Sequence, residues 1–185
     1  MKSNDKFGGC WILLGLMSSL MLCMKTLAAD TSTDNTFFHG ALVAEPCVIL
    51  PGEESISLAF FPLLDTDLYL NKRTRGQQFY LHLTGCDISQ VNTVRVMFSG
   101  NEDPALPGLL ALASSSQASG IAIGLESSDG EFISLNQKGP RYNLLKGDNV
   151  FDFNAYVQGE PEAIAKKRIR RGAFRATATF NVEYE

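Results

Sequence analysis

The chain has 185 residues, of which 45% are hydrophobic and 19% are charged. Its 16 basic and 20 acidic residues give a net charge of −4, and this acidic balance argues against general nucleic-acid binding. The length suits one domain that buries a core of its own.

A signal peptide is predicted at the N-terminus. Lys2 and Lys6 precede an apolar run, Trp11 to Cys23, and Ala28 and Ala29 are small residues that suit a cleavage site. The apolar run is shorter than the roughly 20 residues that a membrane span needs. Cleavage after Ala29 would leave a mature chain of 156 residues, and cleavage after Ala28 fits the pattern equally well.

Two cysteines, Cys47 and Cys86, follow the predicted leader. Paired thiols normally close in the oxidising compartments to which such leaders direct a chain, so the cysteine count predicts one disulfide, Cys47 to Cys86. The alternatives are a free buried thiol or a metal pair. A metal site would need further cysteine or histidine at close spacing, whereas His39 and His82 stand in no ligand pattern.

Short β-rich or alternating runs separated by turn residues predict an all-β protein, and strands at this spacing suggest a sandwich. The predicted strands, in chain order, are Phe37 to Ile49, Ser55 to Phe61, Gln78 to Cys86, Asn92 to Phe98, Gly108 to Ala113, Ile121 to Glu126, Glu131 to Leu135, Val150 to Gln158 and Ala173 to Tyr184. Turn residues at Asn101 to Gly108 and Ser127 to Gly130 predict reversals of strand direction.

The last segment has the period of a half-buried strand and continues to the penultimate residue, where most domains fray. Its apolar side chains alternate with polar ones at Ala176, Ala178, Phe180, Val182 and Tyr184. An ordinary closing strand of a sandwich would explain this alternation by itself.

Two distant motifs nevertheless resemble those of chaperone-usher pilins. Gly172, the alternating run and the penultimate Tyr184 look like the C-terminal pilin motif, and Thr36 to Cys47 resembles a pilin donor strand that leads into the first cysteine. Within the family the chain is similar to P-pilus tip adaptor subunits, through Ala105 to Gly108 and Glu162 to Tyr184.

The resemblance implies an incomplete immunoglobulin-like β-sandwich that lacks its last strand and carries an N-terminal donor-strand extension. The implied division is residues 1–29 as signal peptide, 30–44 as extension and 45–185 as pilin domain. It further implies a structural or adaptor subunit of a pilus (fimbria) that supports cell adhesion, secreted through the periplasm to the cell surface. A periplasmic chaperone, an outer-membrane usher and neighbouring pilin subunits are the implied partners.

The resemblance also assigns residues to the two halves of the assembly contact. The inward face of the donor strand would be Thr36, Phe38, Gly40, Leu42 and Ala44. The acceptor groove, which would also contact the chaperone, would be lined by Gly172, Phe174, Ala176, Ala178, Phe180, Val182 and Tyr184.

Other candidate sites are weaker. The basic run Lys166 to Arg171 is predicted to be a solvated edge, with a charged contact to an acidic neighbour as the alternative. Ser114 to Ser116 and His82 form no catalytic signature, so we expect no enzyme, no cofactor and no metal. Two other functions stay open, a pilus terminator subunit and a receptor-binding adhesin or lectin.

Overall fold

The alternation of apolar and polar residues produces two antiparallel sheets. The computed structural model describes residues 39–40, 42, 44–60 and 62–185. The strands are β1 (Gln77–Cys86), β2 (Thr93–Ser99), β3 (Glu102–Asp103), β4 (Leu106–Leu110), β5 (Ile121–Ser127), β6 (Phe132–Ile133), β7 (Arg141–Asn143), β8 (Gly147–Gly159) and β9 (Thr179–Tyr184). The larger sheet has the order β1-β8-β5-β4-β3, with β6 also paired to β5, and the smaller sheet has the order β7-β2-β9.

The core lies between the two sheets and is centred on Phe153 of β8, whose side chain is fully buried. Its ring stacks on Phe79 of β1 at 5.5 Å and meets Phe98 of β2 edge-on at 5.2 Å, so both sheets contribute to one aromatic cluster. Edge-to-face and offset contacts of this kind stabilise a core beyond the burial of area alone.

Two short helices lie outside the predicted all-β pattern. Helix α1 spans Asp65–Asn71 and α2 spans Pro161–Ala165. Each is too short to show the 3.6-residue period by which a helix is recognised in a sequence. Local chemistry favours both nevertheless, because α1 has two aspartates in its first turn and α2 begins with a proline.

The strand predictions hold best in the centre of the chain. In three places the structure differs: residues 55–60 belong to no strand, residues 44–49 form only a bridge between Val48 and Thr84, and the last strand begins at Thr179 rather than Ala173. The pattern of side chains predicts an extended segment, but a ladder also requires a partner backbone, which the local sequence does not reveal. Strands β3 and β7 were missed because two or three residues carry too little pattern.

The structure forms the predicted disulfide between Cys47 and Cys86, with both residues buried and 39 positions apart in sequence. On one side of it Val48 pairs with Thr84, and on the other the amide of Asp87 donates to the carbonyl of Pro46 at 2.8 Å. The bond therefore fastens the start of the domain to the end of β1.

The predicted signal peptide lies outside the described residues. Among the residues that are described, no helix has the length and apolar character required to cross a membrane.

Candidate strand-acceptor edge

Strand β9 lies at one end of the smaller sheet, next to β2. It runs antiparallel to β2 in the register Thr179 with Ser99 to Tyr184 with Val94. Within the described part of the chain no strand pairs with its other edge. The backbone groups along that edge are therefore available to a further strand.

Burial differs sharply across this strand pair. The inward side chains of β2, at Val94, Val96 and Phe98, are 0%, 0% and 5% exposed. Their direct partners on β9, listed from the C-terminal end, are only half-buried although they point to the same core: Tyr184, Val182 and Phe180. The apolar face of β9 is therefore covered by β2 and by the core, whereas no described strand lies along its outer side.

The apolar row continues upstream of β9, where the backbone is irregular. Phe174, Ala176 and Ala178 are also half-buried against the core. Here the chain hydrogen-bonds with residues 113–118, since the carbonyl of Ala173 accepts from the amide of Gln117 at 2.8 Å and that of Arg175 accepts from Ala113 at 2.7 Å. The predicted strand Ala173 to Tyr184 thus has one continuous apolar face but two backbone arrangements. Its first part is irregular and bonds with residues 113–118, and its second part is strand β9.

Gly172 precedes this row for a structural reason. Its φ of 148° lies in a region that L side chains rarely adopt, and a Cβ at this position would overlap the side chain of Gln117. The glycine therefore lets the chain turn closely against residues 117–118 as it enters the apolar row.

A second half-buried row lies on residues 55–60. Leu58 and Phe60 pack against the same core cluster as β9, and the ring of Phe60 lies 5.9 Å from that of Phe174. Ile56 shares their alternation and is 37% exposed. The sequence predicted this segment as a strand but did not connect it with the acceptor site, although its every-second-residue pattern is the signal that could have done so.

The C-terminal end of β9 is held by charge. Arg95 Nε lies 2.8 Å from one carboxylate oxygen of Glu185, and Arg141 binds the other oxygen. The amide of Glu185 donates a hydrogen bond to the carbonyl of Thr93 at 3.0 Å, and the hydroxyl of Thr93 donates one to a backbone oxygen of Glu185 at 2.7 Å. These contacts, which the sequence analysis missed, hold the residue that follows β9 against the start of β2.

We expect this clasp to depend on pH. Hydrogen bonding by Arg95, reinforced by Arg141, holds the pKa of Glu185 below its usual range. A carboxyl with a lowered pKa stabilises the folded state above its ordinary pKa, about 4.3, and loses that contribution as the pH falls through the lower value. The protection of the β9 amides against hydrogen exchange, measured relative to the intrinsic rate at each pH, should therefore fall below that pH, and Glu185→Gln should show reduced protection already at pH 7. Equal protection in the two proteins at pH 7 would contradict this role, and Glu183→Gln, on the exposed face, is the control.

Two tyrosines lie on the inward face at this end. Burial raises the pKa of Tyr184, with a smaller contribution from the charge of Glu45, and burial also raises the pKa of Tyr142. Among the described residues the Tyr142 hydroxyl has no hydrogen-bond partner, although it is shielded from solvent. Both phenols are therefore neutral at physiological pH.

The other candidate residues lie apart from this edge. His82 on β1 faces Glu53 at 3.3 Å beside a small cavity of about 170 Å³. In the basic run, Glu162 pairs with Lys166 at 3.1 Å, and Asp65 binds Arg171 at 2.8 Å. Within the described residues no group of three or more acids, histidines or cysteines converges as a metal site would require.

Of the predicted donor face, Thr36 and Phe38 lie outside the described residues. Gly40, Leu42 and Ala44 are described and belong to no strand. Their assignment to a donor strand stays a prediction.

Comparison with known proteins identifies the family. The family model "Fimbrial protein" matches residues 37–185. The chain is 30% identical over 185 residues to the uncharacterized fimbrial-like protein YfcP of Escherichia coli K12, covering 99% of this chain and 98% of YfcP. It is 29% identical over 174 residues to the fimbrial adapter PapK of Escherichia coli, covering 90% and 96% of the two chains.

A solved structure agrees with the fold described above. The P pilus rod subunit PapA superposes with a TM-score of 0.66 at 23% identity, over 76% of this chain and all of PapA. The family is one of structural proteins and not of enzymes. The resemblance to pilins is thereby confirmed: the chain belongs to the fimbrial protein family, as a pilin subunit of a chaperone-usher pilus at the cell surface.

Proposed function

We propose that this subunit is joined head to tail to its neighbours by donor-strand complementation, with the free edge of β9 accepting an extended segment from another subunit. One observation carries the proposal: Phe180, Val182 and Tyr184 are half-exposed, whereas the β2 residues beside them are buried. A strand laid between β9 and residues 55–60 would complete the immunoglobulin-like sandwich and cover this apolar face.

Such an edge is unstable when left open. Unpaired backbone groups beside an apolar face form a template for aggregation. Strand addition satisfies those groups and provides pockets for alternate side chains of the added segment. A periplasmic chaperone would cover the edge first, after the Sec-type leader is removed, and a neighbouring subunit at the usher would replace it.

The N-terminal extension, residues 30–44, would perform the reciprocal task for the next subunit. Thr36, Phe38, Gly40, Leu42 and Ala44 lie on one face of an extended chain because successive side chains alternate. Phe38 and Leu42 are the large apolar members and would occupy the deepest pockets. One chain then has both halves of the contact, as an internal member of a fibre requires.

An adaptor position in the fibre is the finer part of this proposal. It is supported by the likeness to PapK, whose name describes a fimbrial adapter, and that likeness extends over nine-tenths of this chain. An adaptor needs a functional acceptor edge and a functional extension, whereas a terminator would refuse a donor.

Strand exchange tests the proposal. The mature chain, co-purified with its periplasmic chaperone, is challenged with peptides that correspond to the extensions of this chain and of neighbouring pilins. We expect at least one peptide to release the chaperone. With that peptide bound, amide exchange along the free edge of β9 should be slower than in the chaperone-free chain without peptide. A scrambled peptide of equal composition is the control. Slow exchange of that edge in the chaperone-free chain, with no peptide bound, would contradict the proposal.

A further inference from the structure

The pilin domain has opposite charge at its two ends. The acidic pole, defined here as five acidic residues around the disulfide, comprises Glu45, Glu53, Glu54, Asp87 and Asp148. The basic pole, defined as the exposed run after α2, comprises Lys166, Lys167, Arg168, Arg170 and Arg171. The two poles lie at opposite ends of β8.

The course of β8 establishes this separation. Its first residue, Gly147, pairs with Cys86, and the next residue, Asp148, accepts a hydrogen bond from the amide of Gly85 at 3.2 Å. Its last residue, Gly159, leads directly into α2 and then into the basic pole. Thirteen residues of strand separate the poles by about 40 Å, since each residue advances by about 3.3 Å.

Each pole keeps unpaired charge within the described part of the chain. None of the five acids forms a salt bridge there with a lysine or arginine; Glu53 faces only His82, and Lys146 is the cation near Asp87. In the basic pole, Glu162 holds Lys166 and Arg168, and Asp65 holds Arg171. Lys167 and Arg170 are exposed and have no acidic partner among the described residues.

The acceptor edge runs from one pole to the other. The apolar row starts at Phe174, just after the basic pole, and ends at Tyr184, which packs against the core cluster that contains the disulfide, around which the acidic pole lies. The extension ends at Ala44 and is followed immediately by Glu45. The acidic pole of a donor subunit must therefore lie wherever its extension leaves the groove.

Strand direction decides which poles meet. A donor antiparallel to β9 leaves the groove at the start of the apolar row, which brings the donor's acidic pole to the acceptor's basic pole. A parallel donor would bring two acidic poles together, and like charges in contact disfavour a complex.

We propose that the basic pole docks the acidic pole of a second copy of this chain, adding an ionic contact that selects the antiparallel donor and accelerates joining. The inference rests on the proposed function, because the donor's extension must occupy the acceptor edge. Charge complementarity between the two ends of one chain identifies the occupant, and such complementarity acts mainly on the rate of association.

The test uses the mature full chain in its chaperone complex and follows formation of the two-subunit species by native mass spectrometry. At low salt we expect Lys167→Glu/Arg170→Glu to slow joining by about tenfold, and Glu45→Lys/Glu54→Lys to do the same. Both differences should vanish near 0.5 M salt, because screening then acts within a few ångströms. Mixing the two variants should restore the wild-type rate, since each then presents the charge that the other needs. Lys138→Glu, outside both poles, is the control.

A peptide of residues 30–44 separates this inference from the proposed function. It fills the edge but lacks the acidic pole, so Lys167→Glu/Arg170→Glu should not alter its exchange rate. Failure of this peptide alone to exchange would overturn the docking inference, whereas failure of every extension peptide, those of neighbouring pilins included, would overturn the proposed function as well. If the peptide exchanges normally, three results would overturn the docking inference alone. These are that two full chains never join, that the variants join at the wild-type rate, or that the mixture is no faster than either variant.

Discussion

Replacing both Phe38 and Leu42 by alanine should weaken the donor extension by about 100-fold or more. Full burial of each side chain is worth about 1.5 to 3 kcal/mol, and each 1.4 kcal/mol corresponds to about a tenfold change in affinity. Alanine keeps the backbone hydrogen bonds of the added strand, so the loss reports the apolar pockets. Competition between wild-type and variant peptides of residues 30–44 for a chaperone-bound pilin measures the ratio.

Phe37→Ala/Val43→Ala supplies a matched control in the same peptide. These two residues are also large and apolar, but they alternate onto the opposite face of an extended strand. We expect a small effect from this pair. Equal losses from the two double variants would show that the extension binds through general hydrophobicity and not as a strand with one inward face.

Removal of the disulfide should cost the domain about 4 kcal/mol. Cross-linking two residues that are 39 apart removes this much chain entropy from the unfolded state in the loop-closure model. Urea unfolding of the mature chain, wild type against Cys47→Ala/Cys86→Ala, measures the difference in the free energy of unfolding. A loss of this size is a large fraction of the stability of an ordinary domain.

Reduction of the wild-type protein distinguishes the effect of losing the disulfide bond from the effect of replacing the two cysteine side chains. Wild-type protein unfolded in the presence of a reductant should match the double variant to within about 1 kcal/mol, because alanine retains most of the buried volume. A reduced wild type that is as stable as the oxidised protein would contradict a stabilising role. The acidic pole should also loosen on reduction, since the bond fastens residues 46–48 to the end of β1.

Motifs and residue patterns in the sequence were sufficient to identify the family and most of the strands. Cysteine counting was sufficient for Cys47 and Cys86, because one pair in an oxidising compartment leaves one pairing. Alternation identified β1, β2, β5 and β8 and the apolar face from Phe174 to Tyr184, because side chains of a strand alternate whatever lies beside them. The same local rule failed at α1 and α2, which are shorter than the pattern needed to detect them.

The acceptor role proposed for that apolar face depends on its surroundings in the folded chain. A strand that is paired along both edges and a strand that is paired along one edge show the same alternation of side chains. Alternation therefore could not distinguish an ordinary closing strand from an acceptor edge. The distinction lies in the partners of β9: β2 on one side, no strand on the other among the described residues, and half-exposed side chains beside fully buried ones. The clasp at Glu185 arises in the same way, because Arg141 and Arg95 are 44 and 90 positions away in sequence and are brought to Glu185 by the pairing of β2 with β7 and β9. The two charged poles likewise depend on the course of β8, which sets them apart.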